Sequence, residues 1–144
     1  MKIRYFFDDV SFNLKRKRKI TSWLEKVAKN EKKTIDNLCY VFVSDEKIQD
    51  MNCKYLHHDY TTDILTFDLS SEDAISGDMY ISVETVKENA KDYNVDFQAE
   101  LLRVMLHGVL HLCGYNDGTE EEQKEMRGKE DEYLVMVDTS ANGT

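Results

Sequence analysis

The stretch LLRVMLHGVLHLCGYND, residues 101–117, decides the fold. Leu101, Leu102, Met105, Leu106, Val109, Leu110 and Leu112 interleave with His107 and His111, so the run reads as a rigid helix buried on most sides. The two histidines stand four residues apart. That spacing stacks them on one helix face with Cβ atoms about 5–6 Å apart, close enough for both imidazoles to address one metal ion. Gly114 accepts a left-handed conformation that other residues resist, so it can end the helix and let the chain double back. Asp117 then returns to the same point. Two imidazoles and one carboxylate, with room for a water, have the composition of a catalytic zinc site and not of a closed structural one. A lone histidine on an apolar helix is ordinarily a packed core residue; the glycine stop and the third donor type set this run apart.

One absence narrows the chemistry. In metalloproteases with the H-E-x-x-H pattern, the glutamate after the first histidine is the general base. Here that position is Gly108. A minimal metalloprotease therefore rests on ligand spacing alone. Cys113 lies two residues after His111, but its side chain should point away from the histidine face, and it is not counted as a ligand.

Outward from this helix, the pattern is that of one compact α/β (α+β) unit of about four strands and five helices, spanning residues 1–139, with the metal site at the end of a core helix. Ile3–Phe7 reads as a strand, and Ser11 or Asn13 can cap a helix running to about Asn30 with Ile20, Trp23, Leu24 and Val27 at helical spacing. Leu38–Val43 is a β-branched and aromatic strand. Ser44 caps a short helix in which Ile48, Met51 and Tyr55 face inward. Ile64–Leu69 and Asp78–Val83 read as strands joined by the turn Ser70–Gly77, and so short a connection predicts an antiparallel pair. A helix over Val83–Tyr93 follows, with Val86 and Ala90 inward. Asp96 caps the histidine helix. Thr119 with Glu122 forms a capping box that opens a last helix to about Val137, and Ser140–Thr144 is a frayed tail.

Composition sets limits. At 144 residues the chain can bury an ordinary core. Met1–Phe7 carries only a short apolar stretch before Asp8 and Asp9, unlike a signal peptide, and no run approaches the roughly 20 apolar residues of a membrane span. Cys39, Cys53 and Cys113 are odd in number and widely spaced, which implies buried thiols in a reducing, cytoplasmic setting. A net charge of −9 does not suggest an autonomous nucleic-acid binder. The charges are unevenly placed, however. Lys15, Arg16, Lys17, Arg18 and Lys19 make a basic run that is either a solvated helix face or a stripe for RNA phosphates, while acidic residues gather between Glu120 and Glu132.

The motifs resemble those of the YbeY-type bacterial endoribonucleases, or ribosome-maturation factors. Their signature is close to H-G-x-L-H-L-x-G-Y-D-H, against HGVLHLCGYND here. NCKYLHHDYTTDILTF (residues 52–67) is similar to the family's N-x-x-Y-R-x-x-D-x-x-T-D-V-L-S-F segment, and GDMYIS (residues 77–82) to its G-D-I-x-I-S strand. The resemblance implies a zinc-dependent endoribonuclease acting on single-stranded RNA in ribosomal RNA processing, with ribosomal particles as partners. It also implies that His107, His111 and Asp117 hold the ion, with His107 at the metal-bound centre. The ligand spacing further resembles zincin-like folds, in which an edge strand borders the metal cleft; Thr61–Phe67 would be that wall.

Three positions depart from the family pattern. Its third histidine aligns with Asp117, its arginine after the tyrosine with Leu56, and the proline after the phenylalanine with Asp68; the chain has no proline. A carboxylate in place of an imidazole lowers the site's charge by one unit, so Zn²⁺ would polarise its water less and harder ions such as Mn²⁺ would be admitted more readily. His57 and His58 follow Leu56 and offer a proton-donating group in the arginine's place, since an imidazole titrates near ~6.5. Asp63 and Asp78 read as structural, and Tyr115 as packing against the helix end or stacking on a base. The alternative function is a ribosome-associated assembly factor with a structural metal and weak or lost catalysis, which Leu56 and the acidic balance favour.

Overall fold

The computed structural model describes residues 2–56 and 62–137. Among the described residues, nine elements follow in order: β1 (Ile3–Phe7), α1 (Lys17–Asn30), β2 (Thr34–Val43), α2 (Asp45–Leu56), β3 (Ile64–Asp68), β4 (Ala74–Ser82), α3 (Val83–Tyr93), α4 (Phe97–Leu112) and α5 (Glu120–Leu134). The sheet order is β1-β2-β4-β3. β1, β2 and β4 run parallel, and β3 pairs antiparallel with β4, placing Ile64 opposite Ile81 and Phe67 opposite Asp78. This is the small α/β fold with four strands and five helices that the hydrophobic periods predict.

The sheet alternation divides the core in two, because successive strand residues face opposite ways. Met79 and Ile81 join the large cluster with α1 and α4, while Tyr80, Leu65 and Phe67 pack with Ile48 and Met51 of α2. The histidine helix is as buried as its sequence requires: Leu101, Leu102, Met105, Leu106, Val109 and Leu110 have no exposed surface. Tyr40 of β2 donates its hydroxyl proton to the Met105 carbonyl at 2.8 Å, fixing α4 against the sheet.

Several boundaries differ from the sequence reading. α1 opens at Lys17 from Arg16, whose φ of 61° is left-handed, and neither Ser11 nor Asn13 caps it. The preceding segment instead carries Phe12 and Leu14 into the core, with Phe12 against Phe7, Phe42 and Phe97. The Ser70–Gly77 turn shrinks because Ile75, Ser76 and Gly77 pair with an extended β2, where Ile35 and Ile75 are both buried. Asp96 occupies the cap position of α4, yet its side chain accepts no capping bond. Tyr55 is 63% exposed and turns its ring edge-on to Phe67 instead of facing inward. Cys53 is exposed, against the expectation of buried thiols; all three cysteines are free. α5 ends at Leu134, short of Val137.

Other local readings stand. The Ser44 hydroxyl caps α2 by accepting from Lys47 N at 3.2 Å. Thr119 and Glu122 form the reciprocal capping box, both bonds 3.1 Å. Among the described residues, no helix is long and apolar enough to cross a membrane. The frayed tail predicted over 140–144 lies outside the described residues.

Candidate metal and active site

The end of α4 is built as its sequence directs. Gly114 takes φ 111°, its N–H donates to the His111 carbonyl at 3.0 Å, and the Tyr115 N–H reaches back to the Leu110 carbonyl at 3.1 Å. That pair of bonds is the Schellman termination, which turns the chain sharply at glycine. Tyr115 is an anchor, not an exposed stacking ring. Its hydroxyl donates to Glu31 Oε1 at 2.8 Å, and Tyr133 donates to the other oxygen of the same carboxylate. The loop that carries Asp117 is thereby tied to the end of α1 and to α5.

The turn returns Asp117 to His107, whose Nε2 lies 3.2 Å from Asp117 Oδ2. His111 is one helical turn further on and half-buried, but it does not close around this pair. Among the described residues, no three histidine, cysteine or acidic side chains gather tightly enough to hold a metal ion. The structure therefore brings together two of the three predicted donors. His57 and His58, proposed as substitutes for the family arginine, lie outside the described residues.

Behind His107 stands a residue that the sequence reading missed. Glu130 of α5 is 5% exposed, and its Oε2 lies 2.8 Å from His107 Nδ1. Its Oε1 accepts from Arg103 at 2.8 Å, and Arg103 also donates to Asp131 at 2.7 Å. Arg103 and His107 are four apart on α4, so one face of that helix presents both to α5. A faint signal existed: a single arginine one turn before the histidine, and a dense acidic helix downstream that needed partners.

Electrostatics follow from this chain of charges. Burial pulls the His107 pKa down, but the hydrogen bond and charge of Glu130, with Asp117 and Asp63 behind them, outweigh it, and the net direction is upward. Asp63, read as structural from sequence, lines the same cleft; burial raises its pKa, and the facing His107 only partly offsets this. Glu100 is also raised by burial, against the attraction of Arg103. The cleft encloses about 340 Å³ and is walled by α3, α4, α5 and the residue leading into β3. Arg127, exposed on α5, lines it too.

The donor chemistry suits a divalent ion. A metal-ligating imidazole ordinarily gives its other ring nitrogen to a carboxylate, which fixes the ring and raises its basicity. His107 has that partner at Nδ1 and a carboxylate waiting at Nε2. Gly108 explains why no glutamate follows the first histidine. A Cβ there would sit 2.4 Å from Met79 Sδ and 3.1 Å from Ile64 Cδ1, so this helix position faces the sheet and not the cleft.

Comparison with known proteins gives the family. The family model described as Endoribonuclease YbeY matches residues 6–138. Curated relatives named Endoribonuclease YbeY include those of Christiangramia forsetii, 43% identical over 91% of this chain and 92% of the relative, and Amoebophilus asiaticus, 46% identical over 92% and 91%. That of Bacteroides fragilis is 43% identical over 94% of this chain and 98% of its own. The solution structure of TM1509 from Thermotoga maritima superposes with a TM-score of 0.64 at 32% identity, covering 92% of this chain and 86% of that one. The chain belongs to the YbeY endoribonuclease family.

Proposed function

We propose that this member of the YbeY endoribonuclease family is a metal-dependent enzyme that cuts single-stranded RNA, with ribosomal RNA on its maturing particle as the substrate. The observation that carries this reading is His107, gripped at Nδ1 by a buried carboxylate and facing a second carboxylate at Nε2. His107, His111 and Asp117 would hold the ion, zinc first and manganese as the harder alternative. When bound, it supplies Lewis acidity toward a phosphate oxygen and an acidic water.

The chain's own residues do the rest. Glu130 fixes the ring of His107. Arg127, exposed at the cleft, is the cation placed to meet a phosphate, because the Arg103 guanidinium is already held by Glu130 and Asp131. β3 is an edge strand, and Asp63 at its entry lines the cleft; in zincin-like folds an edge strand beside the site receives an extended chain. An extruded single strand fits such a cleft better than an A-form duplex, whose backbone cannot be drawn inward. His57 or His58 would supply the proton-donating group that Leu56 lacks, and a double alanine variant with unchanged cleavage removes that assignment.

The basic run serves affinity and not chemistry. Gln98 at the start of α4 donates to the Lys15 carbonyl, so the run lies about 14 Å along the helix axis from His107 at 1.5 Å rise per residue. Lys17, Arg18 and Lys19 occupy the opening of α1 with no acidic residue in its first turn. Cations there oppose the helix dipole, an arrangement that phosphate contact would relieve.

The test is cleavage of a labelled single-stranded ribosomal RNA fragment by the purified protein and by Asp117→Ala, with metal content measured on both. Metal-dependent cleavage lost together with the ion in the variant supports the reading. Bound metal with no cleavage by the unmodified protein replaces it with the assembly-factor reading.

A further inference from the structure

We propose that Glu130 is the positioning residue of the site: it holds neutral His107 in the Nδ1–H tautomer and so leaves the Nε2 lone pair free for an ion on the cleft side, where Asp117 stands. The link to metal affinity rests on the metal reading above; the tautomer does not.

Glu130 is 5% exposed on a helix whose neighbouring residues are largely exposed and acidic. A carboxylate is not taken out of water without partners that repay the lost hydration. Here both oxygens are used, Oε1 by Arg103 and Oε2 by His107 Nδ1, each at 2.8 Å. A carboxylate only accepts hydrogen bonds, so Glu130 at Nδ1 and Asp117 at Nε2 both call for a ring proton. Glu130 is nearer, 2.8 Å against 3.2 Å, and buried, whereas the Asp117 side chain is 54% exposed and water can serve it. The single proton of the neutral ring therefore sits on Nδ1. The ring's other nitrogen is then the one without a proton whenever the imidazole is neutral, and that nitrogen faces Asp117 Oδ2 at 3.2 Å. Arg103 sets an opposite charge at Glu130 Oε1, and Asp131 steadies Arg103 from the far side.

The arrangement places control of an α4 side chain in α5. Met126 and Tyr133 bury α5 against the core, and Trp23 Nε1 donates to the Tyr133 carbonyl at 2.9 Å. Docking of α5 therefore sets the distance from Glu130 to His107. On α4 itself, Arg103, one turn before His107, offers only donors.

The experiment uses ¹⁵N-labelled protein without metal, at a pH where His107 has lost its second proton. Long-range ¹H–¹⁵N spectra report the tautomer, and Zn²⁺ affinity is read by competition with a chromophoric chelator. The unmodified protein, Glu130→Gln and Glu130→Leu are compared, and thermal melts confirm that each folds. The expected result is an Nδ1–H ring in the unmodified protein and its loss in Glu130→Gln, whose single amide oxygen goes to Arg103 and whose NH₂ is left facing Nδ1. In Glu130→Leu the Nε2–H form appears, and Zn²⁺ binds about 10–100-fold more weakly, the usual effect of losing such a partner. An Nε2–H ring in the unmodified protein overturns the proposal whether or not the leucine variant folds. So does a leucine variant with tautomer and affinity unchanged. An Nδ1–H ring that is lost in Glu130→Leu, in a protein that binds no Zn²⁺, upholds the positioning role and removes the metal reading instead.

Discussion

Gly108→Ala tests whether the histidine helix is pressed against the sheet as tightly as its burial implies. In a free helix the change would stabilise by about 1 kcal/mol, because alanine is the better helix former. In the fold, the new Cβ would meet Met79 Sδ at 2.4 Å, Ile64 Cδ1 at 3.1 Å and Met79 Cγ at 3.4 Å. The first of these falls about 1 Å inside the roughly 3.5–4.0 Å at which non-bonded atoms rest. Met79 is wholly buried, so its flexible thioether has no solvent-filled space into which to swing. Overpacking of this kind costs about 1–3 kcal/mol. After the helix-propensity gain, a net loss of up to about 2 kcal/mol is expected. Urea unfolding followed by the fluorescence of Trp23, the one tryptophan and a buried one, measures it. The decisive comparison is the double-mutant cycle with Met79→Ala. Removing the thioether opens the space, so in that background Gly108→Ala should become neutral or stabilising by up to about 1 kcal/mol, a coupling of about 1–3 kcal/mol. If Gly108→Ala costs the same in both backgrounds, the close approach to Met79 is not what excludes a side chain at this position.

Glu31→Ala should destabilise by about 1–3 kcal/mol, because it leaves the Tyr115 and Tyr133 hydroxyls without their acceptor; it should also weaken Zn²⁺ binding by loosening the loop that carries Asp117. Denaturation midpoints and chelator competition check both effects. Glu100 has a pKa raised by burial, so the native state holds its proton where the unfolded chain has lost it, and stability falls as pH rises from the ordinary glutamate range through the raised value. Glu100→Gln cannot ionise, and its urea midpoint relative to the unmodified protein should climb across that window and then level off. Reversing Lys15, Lys17, Arg18 and Lys19 should flatten the salt dependence of single-stranded RNA binding by about 0.7 in log–log slope for each phosphate no longer neutralised, with kcat unchanged. Asp117→His should tighten Zn²⁺ binding and lower the Mn²⁺ preference, since imidazole suits zinc and carboxylate suits manganese; parallel titrations with the two ions check it.

Local rules carried the sequence a long way. The apolar period of α4, the glycine that ends it, the capping box of α5 and the antiparallel β3–β4 pair all depend on residues within a few positions of one another. Propensity, capping and turn chemistry act at that range, so these features were legible in the chain itself. Family membership was legible for a related reason, since its three motifs lie close together over residues 52–117. Long-range packing decided the rest. β2 and β4 lengthen because Ile35 and Ile75 find each other across the sheet, and residues 8–16 stay out of α1 because Phe12 meets Phe7, Phe42 and Phe97. Above all, Glu130 reads in the sequence as one more charge in an acidic helix. Only the docking of α5 on α4 buries it, and burial is what obliges a carboxylate to take Arg103 and His107 as its partners.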